Sequence, residues 1–228
     1  MPELTVDRRT GLVIRSDPAF HDREILREVR HAYRSVPVRL DDVILDLGAH
    51  IGASACFFVG QGARRVVAVE ASPENFALLE RNAEGCAILP IHAAVNDDGS
   101  PVTFHLHPKG HAAMNSVVPS RRPHREVTVP GVALDYLLTT YEPTVLKMDI
   151  EWAEYGLSAL HRLPDRVRVI AAELHMLMWG TNERREEAQQ RGLALEESFL
   201  RQGFRSLWRE EKRGRWNRVY AVCGTYER

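Results

Sequence analysis

Asp149, Glu151, Glu173 and His175 are the residues of this chain whose types and spacing best suit chemistry. Asp149 and Glu151 end the segment VLKMDIE, in which Val145, Leu146, Met148 and Ile150 are strand-like and Lys147, Asp149 and Glu151 alternate onto the other face. Glu173 and His175 share one face at the end of a second apolar run, RVIAAELH. Charges at the ends of buried strands are costly unless water, a ligand or one another satisfies them. Ligands of open α/β sheets bind at such strand ends. The plainer alternative is a structural pair of Lys147 with Glu151 or Asp149. Carboxylates and an imidazole suit proton transfer, and His175 lies nearest the ideal pKa for a base at neutral pH, with Asp149 the second candidate. Asp149, Glu173 and His175 are also ligand types for a divalent ion, a reading that is not favoured.

A second feature lies upstream in VILDLGAHIGAS, residues 43–54. Val43, Ile44, Leu45 and Leu47 predict a strand covered on both faces, Gly48 a turn, and Ala53 onward a helix. A dinucleotide-binding turn wants glycine at its middle position, which is His50 here, so a pyrophosphate would meet a side chain. S-adenosylmethionine has no phosphate, and its carboxylate could use backbone N–H groups at the helix start. The next strand, RVVAVEA, ends at Glu70, 22 positions after Gly48 and suited to ribose hydroxyls. The turn and Glu70 together favour S-adenosylmethionine over a nicotinamide dinucleotide.

The elements that must position these groups fit a chain of 228 residues, 44% hydrophobic and 27% charged, most simply a single globular unit. The net charge of −1 argues against a general grip on nucleic acid or anionic membrane. No stretch approaches membrane-spanning length, and three scattered cysteines without a C-x-x-C suit a reducing, cytoplasmic setting. Residues 1–40 predict a strand hairpin and a helix that covers the sheet edge or closes over the ligand. Residues 41–228 form the main domain, with an insertion at 100–132. Ser72 and Pro73 open a helix ended by Gly85. Residues 87–95 are the third strand, whose small Ala93 and Ala94 would leave room for a base.

In the insertion, His105 and His107 share a strand face and His111 follows. With no carboxylate or cysteine at recognisable ligand spacing, a solvated hairpin face is expected and no metal is assigned. Ala153, Leu157 and Leu160 take up helical spacing, and residues 176–179 (Met-Leu-Met-Trp) fit the wall of a substrate pocket and ordinary core equally well. Residues 182–192 predict an exposed helix or cover, 193–202 a further helix, and 204–225 an antiparallel hairpin. The hairpin is rich in basic residues, from Arg201 to Arg218, a solvated face by default and a dock for an acidic partner as the sharper alternative.

Three blocks in order, VILDLGAHIGASACFF, VVAVEASPENFALLERN and LKMDIEWAEYGLSAL, resemble the FkbM family of methyltransferases, the third most specifically. The resemblance implies an α/β, Rossmann-like class I methyltransferase fold: a seven-stranded, mostly parallel sheet with an antiparallel last strand and helices on both faces. It implies S-adenosylmethionine as cofactor and O-methylation of small molecules such as sugars or polyketide-type natural products. By position, Asp46, Gly48 and Gly52 would hold the methionine end, with Ala49 and His50 in the same turn. Glu70 would hold the ribose, with Ala71 and Ser72 just after it, and Ala93 and Ala94 would flank adenine. Asp149 and Glu151 would face the transferred methyl. His50 stands where the family usually has Asn, and Trp152 where it usually has Gly. N-methylation, a cofactor-binding module without chemistry, and a nicotinamide-dependent oxidoreductase are the rival readings. RNA is disfavoured as acceptor by the near-neutral charge, and a homo-oligomer is left open.

Overall fold

The computed structural model describes residues 2–107, 115–117, 124–175, 182–213 and 219–228. In chain order its elements begin with β1 (Leu4–Val6), β2 (Val13–Arg15), α1 (Asp22–Tyr33), β3 (Val43–Leu47), α2 (Ala53–Gly60), β4 (Arg65–Glu70), α3 (Pro73–Ala83), β5 (Ile88–His92) and β6 (Ala94–Asn96). They continue with β7 (Val102–Leu106), β8 (Arg125–Val129), β9 (Gly131–Ala133), α4 (Leu134–Tyr141), β10 (Val145–Met148), β11 (Val169–His175), α5 (Asn182–Arg201), β12 (Arg205–Arg213) and β13 (Val219–Glu227).

Seven strands form one sheet in the order β12-β13-β11-β10-β3-β4-β5. The pairs from β11 to β5 are parallel, and β13 runs antiparallel to both of its neighbours. The expected sheet and its reversed last strand are therefore present. All five residues of β3 are buried because both faces are covered. Leu45, Leu47, Val67 and Val69 point to one side and pack with Leu137 of α4 and Phe199 of α5. Ile44, Val66 and Ala68 point to the other and pack with Phe58 of α2 and Leu79 of α3. The strand order reverses between β3 and β10, which opens a crevice at their C-terminal ends.

Three elements differ from expectation. After β10 the chain forms 3-10 turns at Ala153–Gly156 and Ser158–His161 instead of an α-helix. Glu151 and Trp152 both have positive φ there, 47° and 79°, so the chain bends sharply before an α-helix can start. Residues 182–201 form one helix that runs through Gly192 rather than two segments. The expected third strand, residues 87–95, is two strands, β5 in the main sheet and β6 paired with β9. The described part of the basic hairpin is largely exposed, as expected of a solvated face, although Arg209 meets Glu196 and Glu211 and Lys212 meets Glu173 at 2.6 Å. Residues 176–179 and 214–218, and His111, lie outside the described residues. Among the described residues, no helix is long and apolar enough to cross a membrane.

Candidate active site

A cavity of about 340 Å³ lies in the crevice at the β3–β10 switch. Its floor includes Gly48, Ala49, His50 and Glu70, one end has Ala71, Ala93 and Ala94, and the other has Asp149, Glu151 and Glu173. Helix α1 forms a further wall through Ile25, Val29 and Tyr33. The N-terminal extension therefore lines the cavity, the alternative that composition could not decide.

Gly48 is glycine for a reason local to the strand tips. Its φ is 76°, and a Cβ there would overlap the carbonyl oxygen of Asp149. Gly52, at φ 90°, turns the chain into α2, and a Cβ there would touch Leu79. It is absent from the cavity lining, so its part is to pack α2 against α3. His50 adopts φ 51°, a region that histidine and asparagine enter more readily than most residues. The N–H groups of Gly48 and Ala49 both donate to Val69 O, and that of His50 donates to Glu70 Oε2. Those three donors are spent within the fold.

Asp46 is fully buried and does not line the cavity. It accepts a hydrogen bond from Ser54 Oγ at 2.6 Å and forms an ion pair with Lys147 Nζ at 2.9 Å. Lys147 in turn donates to Leu47 O and Gly48 O. Burial disfavours the Lys147 ammonium, but Asp46 and Asp149 outweigh it and raise its pKa. Asp46 thus acts through Lys147 to hold the turn, and the expected pairing of Lys147 with Asp149 or Glu151 gives way to this one. Ser72 is also buried behind the cavity wall: its side chain caps α3 and its N–H donates to Glu70 Oε1 at 2.8 Å.

Glu70 fits an adenosine-bearing ligand. Burial pushes its pKa up, only partly opposed by the Ser72 and His50 N–H groups, so further donors such as ribose hydroxyls would be well received. Asn75, which sequence reasoning treated only as a helix-opening residue, lines the same end with a buried Oδ1 that lacks a hydrogen-bond partner. His50 also lines the cavity, and neither of its ring nitrogens has a partner; burial and Arg15 lower its pKa to about 4. It is neutral at pH 7. Both lysines of the lining are engaged by carboxylates, Lys147 by Asp46 and Lys212 by Glu173. Among the described lining residues, Glu70 and Asp149 face the cavity without an ion pair to lysine, which suits a sulfonium and an ammonium better than a pyrophosphate.

At the β10 and β11 tips the structure gathers all four candidate catalytic residues. His175 Nε2 lies 3.3 Å from Glu151 Oε2 and 3.9 Å from both Asp149 Oδ1 and Glu173 Oε1. Its Nδ1 lies 3.1 Å from Glu154 Oε1, which also accepts the His175 backbone N–H. Burial opposes charge on this imidazole, but Glu151 and Glu154 overcome it and hold its pKa well above 6.5. The raised pKa favours the protonated ring and His175 is absent from the cavity lining, neither of which suits the general base expected of it. Asp149, Glu151 and His175 lie close enough to approach one ion, a set that shares Asp149 and His175 with the one expected from the sequence. Trp152 packs its ring 5.7 Å from that of His175.

Residues 46–206 match the family described as the methyltransferase FkbM domain, well over half of the chain. The chain belongs to the FkbM methyltransferase family. As an FkbM-family protein it is an S-adenosylmethionine-dependent methyltransferase. No curated protein matches its sequence. Among solved structures, ribosomal protein L11 methylase from Lactobacillus delbrueckii subsp. bulgaricus is similar with a TM-score of 0.50 at 12% identity, over 91% of this chain and 80% of that one. TYW2 of P. horikoshii in complex with MeSAdo also reaches 0.50, at 14% identity over 99% and 72%. The tRNA m1G37 methyltransferase of M. jannaschii scores 0.48 at 14% identity; the match covers 99% of this FkbM chain but 57% of that longer one. At such identities the likeness is one of fold.

Proposed function

We propose that this FkbM-family protein methylates a hydroxyl of a small, non-anionic acceptor such as a sugar or a polyketide-type natural product. The observation that carries the reading is the Asp149 carboxylate, which lines the cavity at the β10 tip, one-third exposed and 3.9 Å from the His175 imidazolium. S-adenosylmethionine supplies a methyl group already activated by its sulfonium. Glu70 and Asn75 would hold its nucleoside end, Ala71, Ala93 and Ala94 would give the base room, and His50 would lie beside its amino-acid end. Asp149 would then hold the acceptor O–H in line and take its proton as the oxygen attacks. Glu151, tied to His175, is the more constrained of the two cavity-facing acids at that tip and would position the acceptor. Glu173 would keep Lys212 neutralised at the rim.

The same acids argue against RNA, whose phosphates would meet like charge as the acceptor enters. The test is incubation of the pure chain with methyl-labelled S-adenosylmethionine and a panel of sugar and polyketide alcohols, amines and RNA. Labelled ethers are expected. Label found only on amines or RNA would overturn the reading, and cofactor binding without any product would point to a module without chemistry.

A further inference from the structure

The histidines of the β7–β8 hairpin form a cluster that methyl transfer does not use. In the antiparallel register His105 stands directly opposite Glu126, and the rings of His107 and His124 lie 5.7 Å apart. The alternate residues Phe104, Leu106, Val127 and Val129 point the other way into an apolar cluster with Ala94. One face of the ribbon thus presents three imidazoles and a carboxylate. Far from forming a solvated face, His105 and His107 are 5% and 7% exposed.

We infer that His105, His124 and Glu126, with His107 beside them, form a binding site for one Zn²⁺ ion. Glu126 Oε1 lies 3.7 Å from both His105 Nδ1 and His124 Nε2, and the three ligand atoms fall within 4.8 Å of one another. Bond lengths of roughly 2.0–2.2 Å at a tetrahedral zinc place neighbouring ligand atoms roughly 3.3–3.5 Å apart, so small side-chain rotations would close the site. An independent sign is His105 Nδ1, which sits on a side chain only 7% exposed, faces Glu126 and has no hydrogen-bond partner. Imidazole with carboxylate is a donor set that suits zinc better than the oxygen-seeking magnesium or calcium. The Glu126 side chain is 63% exposed, which leaves an entry path and a position for water.

The site would brace the acceptor side of the cavity. His105 exchanges backbone hydrogen bonds with Ser116 at 2.8 and 3.3 Å, and the His107 N–H donates to Asn115 Oδ1 at 2.8 Å. Asn115 and Val117 line the cavity, and Ser116 Oγ donates to the carbonyl of Glu151. An ion fixing β7 to β8 would therefore fix the short segment that walls the chemistry.

The experiment uses the full, tag-free chain stripped with chelator, then titrated calorimetrically with ZnCl₂ beside His105→Ala and His124→Ala. One site per chain is expected, weakened at least tenfold in each variant, while affinity for S-adenosylhomocysteine is unchanged. X-ray absorption on the zinc-loaded wild type needs no variant and should show two or three imidazoles around the metal. No zinc binding, undiminished binding in both variants, or a single imidazole, as the Asp149–Glu151–His175 cluster would give, overturns the proposal.

Discussion

The two histidine clusters of this protein use the same residue types to opposite ends. At the β10 and β11 tips, His175 is ringed by Asp149, Glu151, Glu154 and Glu173, and the surplus of acid holds its proton. On the β7–β8 ribbon, burial and the neighbouring His124 lower the pKa of His105, and the one nearby acid, Glu126, only partly opposes them. Carboxylates around one imidazole make it a fixed cation. Where imidazoles outnumber carboxylates, as around His105, the neutral ring is favoured instead. On the readings proposed above, the ratio of acid to histidine makes one cluster a charged scaffold beside the reaction and the other a seat for a metal ion.

Asp149→Asn tests the first half of that contrast most severely. Turnover of the true acceptor should fall at least roughly 100-fold, the low end for acid–base groups, while calorimetry finds cofactor affinity nearly unchanged. Unaltered turnover would remove Asp149 from the proton path.

Glu154→Gln should come next. Glu154 is 1% exposed and accepts from His175 twice, so loss of its charge should destabilise the fold by about 1–3 kcal/mol in urea unfolding. The His175 pKa should drop, read by NMR of its imidazole nitrogens. Because the folded pKa of His175 is raised, its stabilising contribution is fully present below the unfolded value, about 6.5, and is lost as pH rises through the folded value. Wild type should accordingly lose its advantage over His175→Gln on the alkaline side. An advantage that grew with pH would show that His175 is neutral in the fold.

Smaller effects separate the clusters further. Trp152→Gly relieves a residue at φ 79° but removes the ring against His175, two opposed changes of about 1–2 kcal/mol each. Net stability by thermal unfolding should move by less than about 1 kcal/mol while the preference among acceptors shifts. A loss above about 3 kcal/mol would mean that the ring is chiefly structural. Glu126→Ala, at an exposed site, should change metal-free stability by under about 0.5 kcal/mol yet weaken zinc binding at least tenfold by calorimetry.

Much of this molecule could be read from local pattern. The run from Val43 to Leu47, the turn at Gly48 and the distance to Glu70 announce a strand, a bend and an acid that the sheet then brings together. Alternation alone put Asp149 and Glu151 on one strand tip and Glu173 and His175 on the next. What escaped was pairing across the sheet. Lys147 meets Asp46 because β10 lies in register with β3, a relation that no spacing along the chain encodes. His124 and Glu126 meet His105 only after the ribbon folds back on itself. Asn75 was hidden for another reason: its place in a helix-capping sequence already accounted for it. The carboxylate behind the His175 ring was not legible either, because Glu154 lies in the 3-10 turn that replaced the expected helix.

The close approach of Gly48 to the Asp149 carbonyl sets a limit on how such an enzyme can diversify. Nothing bulkier than a hydrogen atom fits at that seam, so the turn at Gly48 and the strand tip that carries Asp149 cannot drift apart or be re-spaced by substitution. On the proposed reading, new acceptors would be accommodated at the perimeter, through the 115–117 segment and the inner face of α1, while the gap that the methyl group crosses stays the same.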